Sequence, residues 1–327
     1  MRKLKRILVP VSGLQMRPSG AIRKAAQLAR KAGCEIELFH AIATPVAVEL
    51  SYAPSHRIEK VKAATRSASL ATLERLAVPL RRLGLKVSTA AIWDYPPYEA
   101  IIRRAVATKA ALIVTQSHDR HRAAGLLGYT DWALLRLSPM PVLLVKSPRL
   151  YRRPTILAAV DPEHPEAKSS ALDRRILENA AGFSRALSGS LRVVHAYIPE
   201  PHLPPPGVNL TNIFPVSALR AAERQARAVF ESDLVKRTVP SARRHLVAGS
   251  PPAVIASVAR KTRSAVVVLG SVSRSGLKRL FIGNTAERVL DDLRCDVLVV
   301  KPAKFQTKVP RTRRGMQFLP VTIPWGA

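Results

Sequence analysis

The sequence repeats itself, and the repeat sets the fold class. Thr130 and Thr285 lie 155 positions apart, as do Val142 and Val297, Pro97 and Pro252, and His40 and His195. Nearer the starts, Ile7/Ile156 and Ser12/Asp161 are separated by 149, so the second copy has a slightly longer early segment. Four anchors at one spacing point to a tandem duplication of a unit of ~150 residues, an ordinary domain size. The chain of 327 residues therefore divides into copies over 1–149 and 150–303 and a tail over 304–327.

Each copy alternates short apolar runs with amphipathic stretches. Residues 6–12 (RILVPVS) are a compact apolar run, the mark of a buried parallel strand. Residues 19–33 place Ile22, Ala25, Ala26, Leu28 and Ala29 on one stripe. Arg23, Lys24, Arg30 and Lys31 fall on the polar face and Gly33 is a stop, which predicts a helix. Further strands are expected over 35–42, 85–93, 111–114 and 141–146, with helices over 56–83, 97–109 and 130–137. The second copy reads the same way. Its strands fall over 155–161, 191–198, 243–247, 266–270 and 297–300. Its helices fall over 166–187, 216–236 and 252–261, with a last one opening at Gly283, Asn284 and Thr285. Alternation of this kind implies parallel strands and right-handed crossovers. The expected class is α/β, with two tandem doubly wound five-stranded parallel-sheet domains. Ligands of such sheets bind beyond the carboxyl ends of the strands, at the switch point. That edge carries Ser12, the loop over 116–128, Asp161 and the loop over 270–283.

Charge bounds the partners. Lys and Arg number 53 against 22 Asp and Glu, a formal charge of +31, while charged residues overall are 23%. The imbalance owes as much to missing acids as to added bases. It creates a field that attracts nucleotides, nucleic acids, acidic proteins or anionic lipid, or simply a solvated basic surface. No apolar stretch approaches the ~20 residues of a membrane span. The start, MRKLKRILVPV, imitates a secretory signal, but Pro10 and Gly13 break its apolar part. We read it as the first strand of a cytoplasmic protein. Cys34 and Cys295 have no metal-site or disulfide spacing and read as small buried hydrophobes beside strands.

Two segments fall outside the repeat. Residues 199–215 are rich in proline, with Val208, Leu210, Ile213 and Phe214 among them. They suit a lid or an ordinary surface loop. The tail carries Lys304, Lys308, Arg311, Arg313 and Arg314 and ends in Phe318, Leu319, Val321, Ile323 and Trp325. Its basic part is expected to be mobile, and its apolar end to dock on the protein or on a partner.

The chemistry concentrates in residues 265–301. There an apolar run ends at Gly270, a basic serine-containing loop follows, and Gly283 opens a helix before the last strand. Glycines let a backbone approach phosphates, and N–H groups at a helix start face an anion. No nucleophile elbow, Walker lysine, catalytic cysteine or paired carboxylate is present, which argues against an enzyme. His118, Asp119 and His121 are a weak metal set. Glu163, His164 and Glu166 invite an acid/base or Mg²⁺ reading, but the two glutamates read first as acids complementing a helix start. His40 and His195, being duplicated, read as sheet positions.

These residues carry a family resemblance. Two α/β units whose ends read TDWALLRLSPMPVLLVK and GNTAERVLDDLRCDVLVVKP resemble the tandem universal stress protein family, closest to its E-type two-domain bacterial members, over residues 4–303. Nucleotide-binding members carry G-x-x-G-x9-G-[ST] and an aspartate after the first strand. In the second copy Asp161, Gly270 and Gly283 match, whereas Ser273 replaces the middle glycine and Asn284 the hydroxyl residue. The resemblance implies ATP or AMP as ligand, with Mg accompanying ATP. Asp161 would meet ribose or base, and Val247 and Leu269 would wall the base. Gly270, Ser273, Arg274, Gly283, Asn284 and Thr285 would form the phosphate side. In the first copy Gln116, Asp119 and Ser12 replace the matching residues and Trp132 enters the helix, so that loop is degenerate.

The expected function is a stress-response binding and signalling protein with an adenine-nucleotide site in the second domain. Slow ATP hydrolysis is compatible with it, although no general base stands out. The alternatives are non-specific nucleic-acid or anionic-surface binding through the basic surface and tail, and a lipid-like or other small ligand in a degenerate cavity. Pairing of the two domains within the chain, or a homodimer, follows from the resemblance alone.

Overall fold

The computed structural model describes residues 4–12, 18–44, 46–47, 54–117, 127–162, 170–199, 216–271, 290 and 292–319. The chain forms two compact units, one of Arg2–Leu150 with Gln306–Ala327, the other of Tyr151–Phe305.

In the first unit the elements run β1 (Arg6–Pro10), α1 (Gly20–Ala32), β2 (Glu35–Ile42), β3 (Val46–Ala47), α2 (Ser55–Arg82), β4 (Val87–Trp93), α3 (Pro97–Ala107), β5 (Leu112–Gln116), α4 (Leu127–Leu137) and β6 (Val142–Val145). Five strands lie in the order β4-β2-β1-β5-β6, every neighbouring pair parallel. Ile7, Leu8 and Val9 of β1 are fully buried, as a strand covered on both faces requires. Helix α1 starts because Ser19 Oγ accepts from the Ile22 N–H at 3.3 Å, and it ends because Gly33 takes a left-handed φ of 65°. One residue departs from its periodicity. Lys24, placed on the polar face by spacing, is 1% exposed.

The first unit also buries an ion pair. Glu37, on the central part of β2, is 1% exposed and bonds to Arg104 of α3. Its second oxygen, Oε2, has no hydrogen-bond partner among the described residues.

The second unit repeats the plan: β7 (Thr155–Ala159), α5 (Ser170–Ala186), β8 (Ser190–Tyr197), α6 (Val216–Phe230), α7 (Asp233–Thr238), β9 (Arg244–Ala248), α8 (Pro251–Lys261), β10 (Val266–Gly270) and β11 (Asp296–Val300). The strand order is β9-β8-β7-β10-β11, again parallel throughout. The helix expected over 216–236 is two helices. Ser232 adopts an extended backbone at the head of α7, the conformation of an N-cap, which interrupts the earlier helix. Below the sheet, at the amino end of β11, the Tyr151 hydroxyl donates to Asp296 Oδ2 at 2.5 Å, with both residues buried. The Tyr151 ring meets Phe183 edge to face. Cys34 is buried as expected, whereas Cys295 is only half-buried; neither forms a disulfide.

The tail departs most from expectation. Residues 306–319 belong to the first unit, where β12 (Phe318–Leu319) pairs in parallel with β3. Arg314, expected on a mobile basic stretch, is tied to Asp94 and Glu99. The described apolar end is thus docked on the protein itself. Val321, Ile323 and Trp325, and the segment over 200–215, lie outside the described residues.

Candidate functional site

In the second unit β7 lies between β8 and β10, and the chain leaves it in opposite directions on its two sides, so the switch point falls at the carboxyl ends of β7 and β10. The register Val268↔Ala158 carries Gly270 to the level of Val160, one residue before Asp161. Asp161 and the Leu269–Gly270 end of β10 therefore lie at neighbouring strand ends. Val247 does not join them directly. It pairs with Ala196 on β8, which places it on β9, two strands from β7. Ser273, Arg274, Gly283, Asn284 and Thr285 lie outside the described residues, as do His118, Asp119, His121, Glu163, His164 and Glu166.

Three features around Asp161 were not foreseen. Asp173, in the first turn of α5, accepts the Asp161 N–H with both carboxylate oxygens at 3.3 Å. The only sequence signal for it was an acid at a helix start, a very common occurrence. His195 Nδ1 lies 3.2 Å from the carbonyl of Val160. A carbonyl can only accept, so that nitrogen carries the proton. His40 does the same in the first unit, 2.7 Å from the carbonyl of Val11. The duplicated histidines are thus sheet residues, as expected, and each holds the strand end that precedes Asp161 or Ser12. Third, Ser271 and Lys301 are both buried, and the Lys301 ammonium donates to Ser271 Oγ at 2.7 Å. It also faces the Phe305 ring at 4.9 Å, a cation–π distance. The residue that starts the loop after Gly270 is anchored by this bond and by its N–H to the Val300 carbonyl at 2.9 Å.

Gly270 has a structural duty beside any ligand. A Cβ there would come within 2.8 Å of Leu172 Cδ2 and 2.9 Å of Ile176 Cδ1 on α5. The absent side chain lets α5 pack on the end of β10.

At the matching strand end of the first unit, Gln116 ties β5 to the start of α1 and to β6. The Gln116 amide oxygen accepts from the Ala21 N–H at 3.1 Å, and its nitrogen donates to the Val145 carbonyl at 3.0 Å. With Ser19 on the Ile22 N–H, two of the N–H groups that a helix start leaves open are already taken.

Comparison with known proteins agrees with this duplicated architecture. The Universal stress protein family matches the chain twice, over residues 3–146 and 153–301. The chain belongs to the universal stress protein family. Among curated members it is similar to Universal stress protein E of Salmonella typhi, 31% identical over 228 residues, which is 69% of this chain and 72% of the relative. Universal stress protein E of Photorhabdus laumondii is 28% identical over 307 residues, 88% of this chain and 92% of that one. Among solved structures, a functionally unknown protein from Pseudomonas aeruginosa PAO1 aligns with a TM-score of 0.66 at 28% identity, over 92% of this chain and 93% of that one. A universal stress protein from Archaeoglobus fulgidus aligns with a TM-score of 0.60 at 19% identity, over 92% and 98%, and shares the fold. The protein is therefore a tandem universal stress protein resembling the E type. No helix among its described residues is long and apolar enough to cross a membrane.

Proposed function

We propose that the second domain binds an adenine nucleotide, ATP or AMP, and that the protein works as a binding and signalling member of its family rather than as an enzyme. The observation that carries this reading is the placement of Asp161. It stands half-buried at the switch point, one residue beyond the level of Gly270; Asp173 holds its N–H and His195 the carbonyl of the preceding Val160. A carboxylate so placed accepts hydrogen bonds from ribose hydroxyls or from an adenine amino group. The neighbouring Asp173 adds negative charge, which favours the donors of a nucleoside over a phosphate at this spot. The phosphates then belong on the side of Gly270, Ser273, Arg274, Gly283, Asn284 and Thr285. Leu269 on β10 and Val247 on β9, two strands from β7 on its other side, supply the apolar wall. With ATP, magnesium would enter as part of the ligand. The first domain, with Gln116 seated at its helix start, serves as scaffold.

The reading is tested by unfolding the purified protein and identifying by mass spectrometry any small molecule released. An adenine nucleotide is the expected product. A lipid-like molecule in its place would overturn the proposal in favour of an apolar ligand.

A further inference from the structure

Strand β3 follows β2 beyond its carboxyl end, and Asp94 follows β4 beyond its own. On this edge of the first unit sits a cluster that does not belong to the nucleotide reading. Asp94 and Glu99 are 2% and 5% exposed. Arg103 reaches both: its Nε and Nη2 donate to the two oxygens of Asp94 at 2.8 Å, and its Nη1 donates to Glu99 Oε2 at 3.0 Å. Two carboxylates against one guanidinium leave one negative charge in a place almost closed to water. A buried charge of this kind demands a partner.

The tail supplies it. Arg314 Nε and Nη2 donate to the two oxygens of Glu99, each at 3.0 Å, in the two-pronged geometry specific to a guanidinium. The Arg314 N–H donates to Asp94 Oδ1 at 3.0 Å, and the Arg314 guanidinium lies 6.0 Å from the Tyr95 ring centre. Arg103 Nη1 also donates to the Pro310 carbonyl at 3.1 Å. Burial would raise the Glu99 pKa, yet the guanidiniums of Arg314 and Arg103 leave it below the usual carboxylate range. Four residues on, the tail lies as β12 beside β3.

The two sides of this contact are unequally built. The receptor is organised by Arg103 through bonds that do not involve the tail. The occupant is slight: the Arg314 side chain is 48% exposed and the paired strand is two residues long. An interface this small is reversible on its own, and tethering is what keeps it filled, through the high effective concentration of a linked segment.

We propose that the Asp94–Glu99–Arg103 cluster and the β3 edge form an exchangeable receptor for an extended, arginine-bearing segment, with the C-terminal tail as its resident occupant. Recognition combines strand addition, which is sequence-tolerant, with one guanidinium anchor, which is not.

The test compares the full-length protein with its Arg314→Glu variant by hydrogen–deuterium exchange and by binding of a fluorescent synthetic peptide of residues 306–319. In the wild type, the backbone of 306–319 and 46–47 should be protected. In the variant that protection should fall at least ten-fold, while β1, β2 and β5 exchange as before. The peptide should bind the variant at least ten-fold more tightly than the wild type, whose receptor is filled. A peptide carrying Arg314→Ala should bind the variant at least ten-fold more weakly. Unchanged exchange in the variant, or peptide binding indifferent to the arginine, would overturn the proposal. A concentration-dependent dimer dissolved by Arg314→Glu would place a second copy's tail in the receptor and overturn the assignment of resident occupant. Arg314→Gln, which removes the charge without reversing it, repeats the comparison should the first variant fold poorly.

Discussion

Replacing Arg104 by methionine is expected to destabilise the first unit by about 3–5 kcal/mol, the usual cost of removing one partner from a buried ion pair. Glu37 is 1% exposed, and its Oε2 has no partner among the described residues, so Arg104 carries most of its compensation. Arg104 is itself partly solvated, and its aliphatic stem is replaced by a side chain of similar volume. The penalty therefore comes from the stranded carboxylate rather than from a cavity. That distinction can be measured. If charge is the cause, the double variant Glu37→Met with Arg104→Met should recover to within about 1 kcal/mol of the wild type, or exceed it, because an apolar pair of similar shape often matches a buried ionic one. Urea denaturation of the three proteins decides the matter. A double variant as unstable as Arg104→Met would show that packing sets the cost.

The second large effect is expected at Tyr151. Its change to phenylalanine keeps the edge-to-face contact with Phe183 but removes the bond to buried Asp296. Hydrogen bonds to charged groups contribute about 1.5–3 kcal/mol, so a loss of that size in the second unit should appear in denaturant titration. The pH dependence provides an independent check. Burial first, and the Asp296 charge second, push the Tyr151 hydroxyl well above its ordinary value. The folded protein thus keeps this proton at a pH where the unfolded chain, with a tyrosine pKa of about 10, releases it. The resulting stability is fully present below about pH 10 and is lost as pH rises from there through the folded value. Tyr151→Phe should therefore flatten the alkaline part of the stability profile while lowering its plateau. An unaltered alkaline limb would mean that other groups govern it.

The architecture was legible because its signals are local and occur twice. Apolar runs such as RILVP and VVVLG, and caps such as Ser19 and Gly33, announce their own elements. The constant spacing between the copies announced the duplication. The exceptions have identifiable causes. The helix over 216–236 is split where Ser232 takes an extended backbone, a break that a continuing apolar stripe does not reveal. Lys24 is buried although helical periodicity puts it outside, since periodicity sees one helix and not what packs on it. The site was legible only in outline. Asp161 and Gly270 could be placed by the order of strands, whereas Asp173 looked like any acid at a helix start. Ser271 and Lys301 are 30 residues apart and meet only through strand pairing. Tyr151 and Asp296, 145 apart, and Arg314 and Glu99, 215 apart, leave no trace in any local window. The tail illustrates the limit most clearly. Its composition reads as a solvated basic segment, and only the buried carboxylates of another part of the chain give Arg314 its place.

Whether Asp161 marks a working adenine-nucleotide site is decided by isothermal titration of the wild type and Asp161→Asn with ATP and with AMP. The asparagine keeps the size of the side chain and removes its charge. The wild type should show saturable binding with a Kd below the millimolar range, and the variant at least ten-fold weaker binding, a difference of about 1.4 kcal/mol or more. Wild-type protein that takes up neither nucleotide below millimolar concentration, or a variant that binds as well as the wild type, would contradict a nucleotide site at Asp161.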